Sequence, residues 1–259
     1  VSEGLELKNV SMRFGGLTAV GNLAGEIGPH DLIGLIGPNG AGKTTVFNVI
    51  TGVYSPTEGD VIFCGKTIVG KKPNEITRSG ISRTFQNIRL FRGLSVFDNI
   101  RVSFAPRASN KLLGSVFRLG GFYSEEKKIE KKIMSLLEFF NLEQTPDELA
   151  TSLPYGAQRR LEIIRALATE PKLLLLDEPA AGMNPTEKQD LMRLIRQIRD
   201  EFKIAVLLIE HDMSLVMGVC ERIMVLDYGV KIAEGSPHEI RTNPRVIEAY
   251  LGETAEEKA

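Results

Sequence analysis

The stretch GPNGAGKTT at residues 37–45 carries the most specific chemistry in the chain, because it satisfies the pattern GxxxxGK[ST]. A chance match in a chain of ordinary composition is on the order of one in a hundred. Gly37, Gly40 and Gly42 allow the backbone to bend so that successive N–H groups face one anion, with Pro38, Asn39 and Ala41 spacing them. Lys43 supplies a point charge for the β- and γ-phosphates of a triphosphate, and a helix starting there adds the positive end of its dipole. Thr44 and Thr45 complete the stretch, and the Thr44 hydroxyl is a hard oxygen suited to Mg²⁺. The expected ligands are therefore ATP and Mg²⁺. A merely tight glycine turn would leave the Lys-Thr pair unexplained.

Three further features gain meaning from that loop. Asp177 and Glu178 end the apolar run LLLL. Ahead of Pro179 they could simply cap a helix, but beside a phosphate loop they read as a metal-shell carboxylate (Asp177) and a group that orients and deprotonates the attacking water (Glu178). His211 follows a second apolar run, IAVLLIE, and is placed for a γ-phosphate contact. Gln86, after ISRTF, could sense the same phosphate or its metal.

These groups lie far apart in the chain, so a particular scaffold must gather them. Residues 4–10 alternate apolar and polar, as a half-buried strand does. DLIGLI (31–36) is a short apolar run, and Val46, Val49 and Ile50 after it have helical spacing, giving strand, glycine loop, helix. VIFCG after the turn Thr57–Gly59 reads as another strand. Helical patterns dominate from about residue 88 to 170. There Ile129, Ile133, Leu136, Leu137 and Phe140 share one face, Ser124 is placed to cap, and the helix AQRRLEIIRALATE follows Gly156. Residues 106–123 read as a loose connection. LLLLD (173–177), a helix over 186–202, IAVLLIE (204–210), a helix over 212–220 and RIMVLDYG (222–229) then alternate, which argues a parallel sheet with helices on both faces. In such sheets ligands bind outside the carboxyl ends of the strands, where the loop and the acid pair both stand.

Bulk properties narrow the function. The net charge of -1 argues against a nucleic-acid partner. Cys64 and Cys220 have no CxxC spacing and read as small buried hydrophobes in a reducing compartment. No signal peptide and no apolar run of spanning length is visible, so work at a membrane would need another chain to cross it.

Together these motifs resemble the ATP-binding subunit of ABC transporters over about residues 5–252. The resemblance implies an α/β P-loop NTPase with a RecA-like parallel-sheet core, an N-terminal antiparallel β subdomain and an inserted helical subdomain. It implies one 1–259 cassette, with 5–86 and 170–252 as core and β subdomain, 87–169 as the helical part and 253–259 as a flexible tail. The family's signature, usually LSGGQ, reads Leu153-Pro154-Tyr155-Gly156-Ala157, followed by Gln158, and would cover the nucleotide bound by a second ATPase subunit, an identical copy or a close paralogue. Pro154 replaces the signature serine, so a hydroxyl contact is excluded and backbone N–H groups must serve. The segment Ala181-Gly182-Met183-Asn184 lacks the family's usual aspartate. An aromatic in the family stacks on adenine, which implies that role for Phe14 with Val20 packing nearby. RFGGLTAV, LPYGAQRRLEI, AAGMNP and NPRVIEAYLG are similar to the LivG type of branched-chain amino acid importers. That type implies transmembrane permease subunits, a solute-binding protein acting through them, and a peripheral place on the cytoplasmic face of the membrane. The rival readings are a soluble ABC machine on ribosomes or DNA, which would carry fused ATPase units or long coiled coils, a P-loop kinase with an acceptor pocket, and a non-catalytic module. Retention of Lys43, Asp177, Glu178 and His211 argues against the last.

Overall fold

The computed structural model describes residues 3–104 and 122–256. Residues 106–121 of the expected loose connection and 257–259 of the tail lie outside the described residues. The chain divides into two units, Val1–Gln86 with Lys172–Ala259, and Asn87–Pro171.

In the first unit the purely apolar segments become strands buried on both faces. β3 (Leu32–Ile36), β7 (Leu173–Asp177) and β8 (Ala205–Ile209) are buried at every position. A strand with no wet face has no reason to alternate, so LIGLI, LLLLD and AVLLI read as continuous runs. With β6 (Ile81–Arg83), β9 (Arg222–Asp227) and β10 (Val230–Gly235) they form a sheet in the order β10-β9-β3-β8-β7-β6. All neighbours pair parallel except β10, which returns antiparallel on β9. β10 departs from the purely parallel expectation: Tyr228 and Gly229 both have positive φ, which makes the turn tight enough for a hairpin.

The second sheet is antiparallel, as expected for the N-terminal part, with order β2-β1-β4-β5. β1 (Leu5–Phe14) and β4 (Glu58–Phe63) match the sequence pattern, with β1 running four residues beyond the expected strand. β2 (Leu17–Ile27) and the two-residue β5 (Lys66–Thr67) carry too many exposed or small residues to announce themselves. Apolar residues of both sheets and of the helix Lys43–Ile50 share one core that includes Leu23, Phe47, Val61, Leu175 and Leu207.

The second unit is helical. The helix Val96–Phe104 packs against Phe122–Phe139 and Tyr155–Leu167. The expected apolar face holds, with Ile133, Leu137 and Phe140 nearly inaccessible. The helix starts two residues before Ser124, so Ser124 lies inside it and not at its cap. At the chain's other end the helix Pro244–Glu256 carries the backbone through residues 253–256 of the expected tail. No described helix is long and apolar enough to cross a membrane. Cys220 is buried and burial pushes its thiol up to about 12, whereas Cys64 is only partly covered; both are free thiols.

Leu207, 1% exposed in the middle of β8, tests the core. Leu207→Ala is expected to lower unfolding stability by ~2–5 kcal/mol, read as a shifted urea midpoint with an unchanged slope.

Candidate nucleotide and hydrolysis site

Four adjacent parallel strands, β6, β7, β8 and β3, end at one edge of the sheet, and each passes directly into a segment that the sequence singles out. β3 ends at Ile36 and enters residues 37–45; β7 ends at Asp177 beside Ile209, the last residue of β8; β6 ends at Arg83, three residues before Gln86.

The loop after β3 is built for close backbone approach. Gly37, Gly40 and Gly42 all have positive φ. A Cβ on Gly37 would stand 2.0 Å from the Leu226 carbonyl oxygen, and one on Gly42 would stand 2.5 Å from that of Ala19. Ala41 accepts from the Gly229 N–H, tying the loop to the β9–β10 hairpin. The helix begins at Lys43 without a side-chain cap, so its first N–H groups keep the positive end of the dipole. Lys43 is buried, and its ammonium donates to the carbonyl oxygens of Gly37 at 2.6 Å and Pro38 at 2.7 Å. Asn39, Gly40 and Thr44 are exposed, Thr45 is half-buried, and Pro38 and Ala41 are buried.

Glu178 is the centre of the second half. The Gln86 amide donates to its Oε2 at 2.7 Å, and His211 Nε2 lies 2.5 Å from its Oε1. Three residues from three strand ends thus meet on one carboxylate. Glu178 adopts φ 47, a left-handed backbone that a non-glycine residue takes only where its surroundings hold it. Its N–H donates to the Ile209 carbonyl at 2.9 Å. Asp177 is buried, and Arg83 donates to its Oδ2 at 2.7 Å. Arg83 also bonds Asn48 and lies over the rings of Phe47 and Phe85, so Asp177 is held by a fixed guanidinium. Sequence reasoning misses Arg83, because a lone arginine within a short strand gives no signal.

It also passes over two further acids, although both neighbour His211. Glu210 is buried, and burial pushes its carboxyl up against the pull of backbone donors led by the Ala180 N–H. Asp212 caps the helix Met213–Val219 through the N–H groups of Ser214 and Leu215. The bond from Lys188, with help from the Ser214 hydroxyl, holds Asp212 down from 3.8 to about 2. Asn184 acts equally locally, forming a capping box with Glu187 at the start of Pro185–Phe202.

Of the two residues assigned to the base, Phe14 is 42% exposed and meets Tyr54 edge-on at 5.2 Å, leaving ring surface for stacking. Val20 has no accessible surface and packs under the loop, its side chain 3.4 Å from where a Cβ on Gly42 would stand.

In the helical unit, the helix Tyr155–Leu167 starts at Pro154, which offers no side-chain cap. Tyr155 and Gly156 are therefore inside its first turn, so the helix begins earlier than the one expected after Gly156. Ala157 and Gln158 donate their N–H groups to the Pro154 carbonyl, and the Gln158 side chain turns back to Leu153. Tyr155 is exposed, and its hydroxyl accepts from the fully buried Arg159.

The chain matches the family model described as ABC transporter over residues 20–181, more than half its length. The chain belongs to the ABC transporter family. A second model, described as branched-chain amino acid ATP-binding cassette transporter, matches this ABC ATPase over residues 230–256. The high-affinity branched-chain amino acid transport ATP-binding protein BraF of Pseudomonas aeruginosa is 45% identical over 249 residues, covering 96% of this cassette and 98% of BraF. LivG of Escherichia coli is 44% identical with the same coverage. The lipopolysaccharide export system ATP-binding protein LptB of Escherichia coli is 34% identical, covering 96% of the cassette and 97% of LptB. The crystal structure of the ADP conformation of an ABC-transporter cassette superposes with a TM-score of 0.84 at 32% identity, covering 97% of this chain and 100% of that one. A dimeric cassette bound to ADP and Pi matches at a TM-score of 0.74 and 25% identity, covering 90% of this chain and 98% of that one. As a member of this family the chain binds nucleotide and is an ATPase.

Asp212 lies below its unfolded value, so its contribution to stability is full above about pH 4 and is lost as pH falls toward 2. Asp212→Asn keeps the cap and flattens that acid limb in pH-dependent denaturation. If this loop holds the nucleotide, Gly42→Ala, strained at φ 99 and blocked by the Ala19 carbonyl, is expected to weaken nucleotide binding in an equilibrium titration by about tenfold or more.

Proposed function

We propose that the chain is the ATP-hydrolysing subunit of an importer for branched-chain amino acids. The observation that carries the cargo is the near-full-length similarity to BraF and LivG, joined by the match of residues 230–256 to the model for branched-chain amino acid cassettes. LptB, a relative of similar coverage but lower identity, shows how far cargo can differ on this scaffold.

The observation that carries the mechanism is Glu178 held between Gln86 and His211 at the end of a buried sheet. In this reading Gly37–Thr45 grips the triphosphate, with Lys43 exchanging its two carbonyl partners for β- and γ-phosphate oxygens. Glu178 orients the attacking water and accepts its proton at a carboxylate oxygen. His211 steadies that carboxylate and meets the γ-phosphate, while Gln86 reports the state of the site to the chain segment that follows it.

Among the described residues no cluster of three or more His, Cys, Asp or Glu could cage a metal. The Thr44 hydroxyl, the Asp177 carboxylate and the Gln86 amide are all oxygen donors, which suits an ion that takes its remaining ligands from phosphate and water. Mg²⁺ held there would neutralise phosphate charge.

Two cassettes, identical or paralogous, would sandwich two ATP molecules, each covered by residues Pro154–Gln158 of the other subunit. Closure would follow from the higher affinity of ATP for the closed state, and permease subunits at the cytoplasmic face of the membrane would convert it into transport fed by a solute-binding protein. The dimer of a related cassette with ADP and Pi supports this arrangement.

Glu178→Gln is expected to bind ATP, accumulate a closed dimer by size-exclusion chromatography and lose turnover; unchanged hydrolysis would remove Glu178 from its role. Lys43→Ala should abolish tight ATP binding. Co-purification with a permease and a binding protein for a non-amino-acid solute would overturn the cargo assignment.

A further inference from the structure

Glu210 is a carboxylate 4% exposed at the end of β8, with no lysine or arginine among the described groups bonded to it. Burying an ionisable carboxyl is costly unless it is compensated. Its hydrogen-bonded compensation is backbone, and the Lys188 ammonium adds an electrostatic attraction without a bond. Oε1 accepts from the Ala180 N–H at 2.7 Å, Oε2 accepts from the His211 N–H at 3.2 Å, and Asp212 adds a backbone hydrogen bond.

Those donors belong to the two turns that carry the hydrolysis groups. Ala180 stands two residues after Glu178, and His211 is the next residue after Glu210. One side chain therefore straps the turn after β7 to the turn after β8. Glu178 needs such a strap, because φ 47 persists only when neighbouring bonds over-determine it. Its own N–H reaches Ile209, the Ala181 N–H reaches back to its carbonyl, and Glu210 closes the third side through Ala180. Ala180 also accepts from the Met183 N–H, so the strap reaches the segment ahead of the Asn184 cap.

We infer that Glu210 is a positioning residue for ATP hydrolysis: by bridging the Ala180 and His211 backbones it fixes the distance and angle between the Glu178 carboxylate and the His211 ring. This rests on the reading of Glu178 as the group that activates water. A hydroxyl or an amide could not do the same work. A glutamine of the same length offers one acceptor and turns an NH₂ toward the second donor.

The test compares Glu210→Gln, Glu210→Ala and Glu178→Gln in the full chain, with ATPase kinetics, equilibrium ATP binding and thermal melting. Misplacing a catalytic group by a fraction of an ångström to an ångström costs about tenfold to a hundredfold, so kcat of Glu210→Gln should fall by about that factor. Its KM and ATP affinity should stay within about twofold, because the phosphate loop is untouched. Glu210→Ala should fall below Glu210→Gln, which retains one of the bonds. Wild-type kcat in Glu210→Gln, alongside an inactive Glu178→Gln, overturns the inference alone. Loss of ATP affinity and melting temperature together with kcat in Glu210→Gln also overturns it, by making Glu210 a support of the fold. Sustained turnover in Glu178→Gln overturns the underlying reading.

Discussion

Parallel pairing of β6, β7, β8 and β3 brings four carboxyl ends to one edge, and the chemistry depends on that register. Adjacent strands lie ~4.8 Å apart, so residues remote in sequence become neighbours. Asp177 sits beside Ile209, and the side chains of Gln86 and His211 close on Glu178 from either side. A register slip of one residue on β7 would turn Asp177 and Glu178 to opposite faces from those they now occupy. The complete burial of β3, β7 and β8 is what forbids it, since any slip would have to repack both covered faces at once.

The site is also polar in an ordered way. Asp177 is held by Arg83, Glu178 by Gln86 and His211, Glu210 by backbone N–H groups and Asp212 by Lys188. Each of these acids has a different kind of partner. Because each acid is compensated separately, four carboxyl side chains can stand close together in one small region.

Much of this is legible in the residues alone. GPNGAGKTT declares a loop between strand and helix, and the helix indeed begins at Lys43. LLLLD and IAVLLIE declare buried strands, because strands covered on both faces read as uninterrupted apolar runs. What the residues do not declare is equally physical. β2 is half exposed and glycine-interrupted, so its pairing comes from β1 and not from its own pattern. β10 depends on a turn at Tyr228-Gly229 whose conformation no apolar spacing predicts. Arg83 and Glu210 are polar residues whose importance lies in partners remote in the chain.

The ammonium of Lys43 rests on two carbonyl oxygens of its own loop. In the proposed reading a phosphate that claims the ammonium would have to displace these two carbonyl dipoles already at bonding distance, so the gain from that exchange would be the difference between an ionic and a dipolar partner and not the whole of the ionic attraction. Such an exchange would favour the more highly charged of two ligands of the same shape.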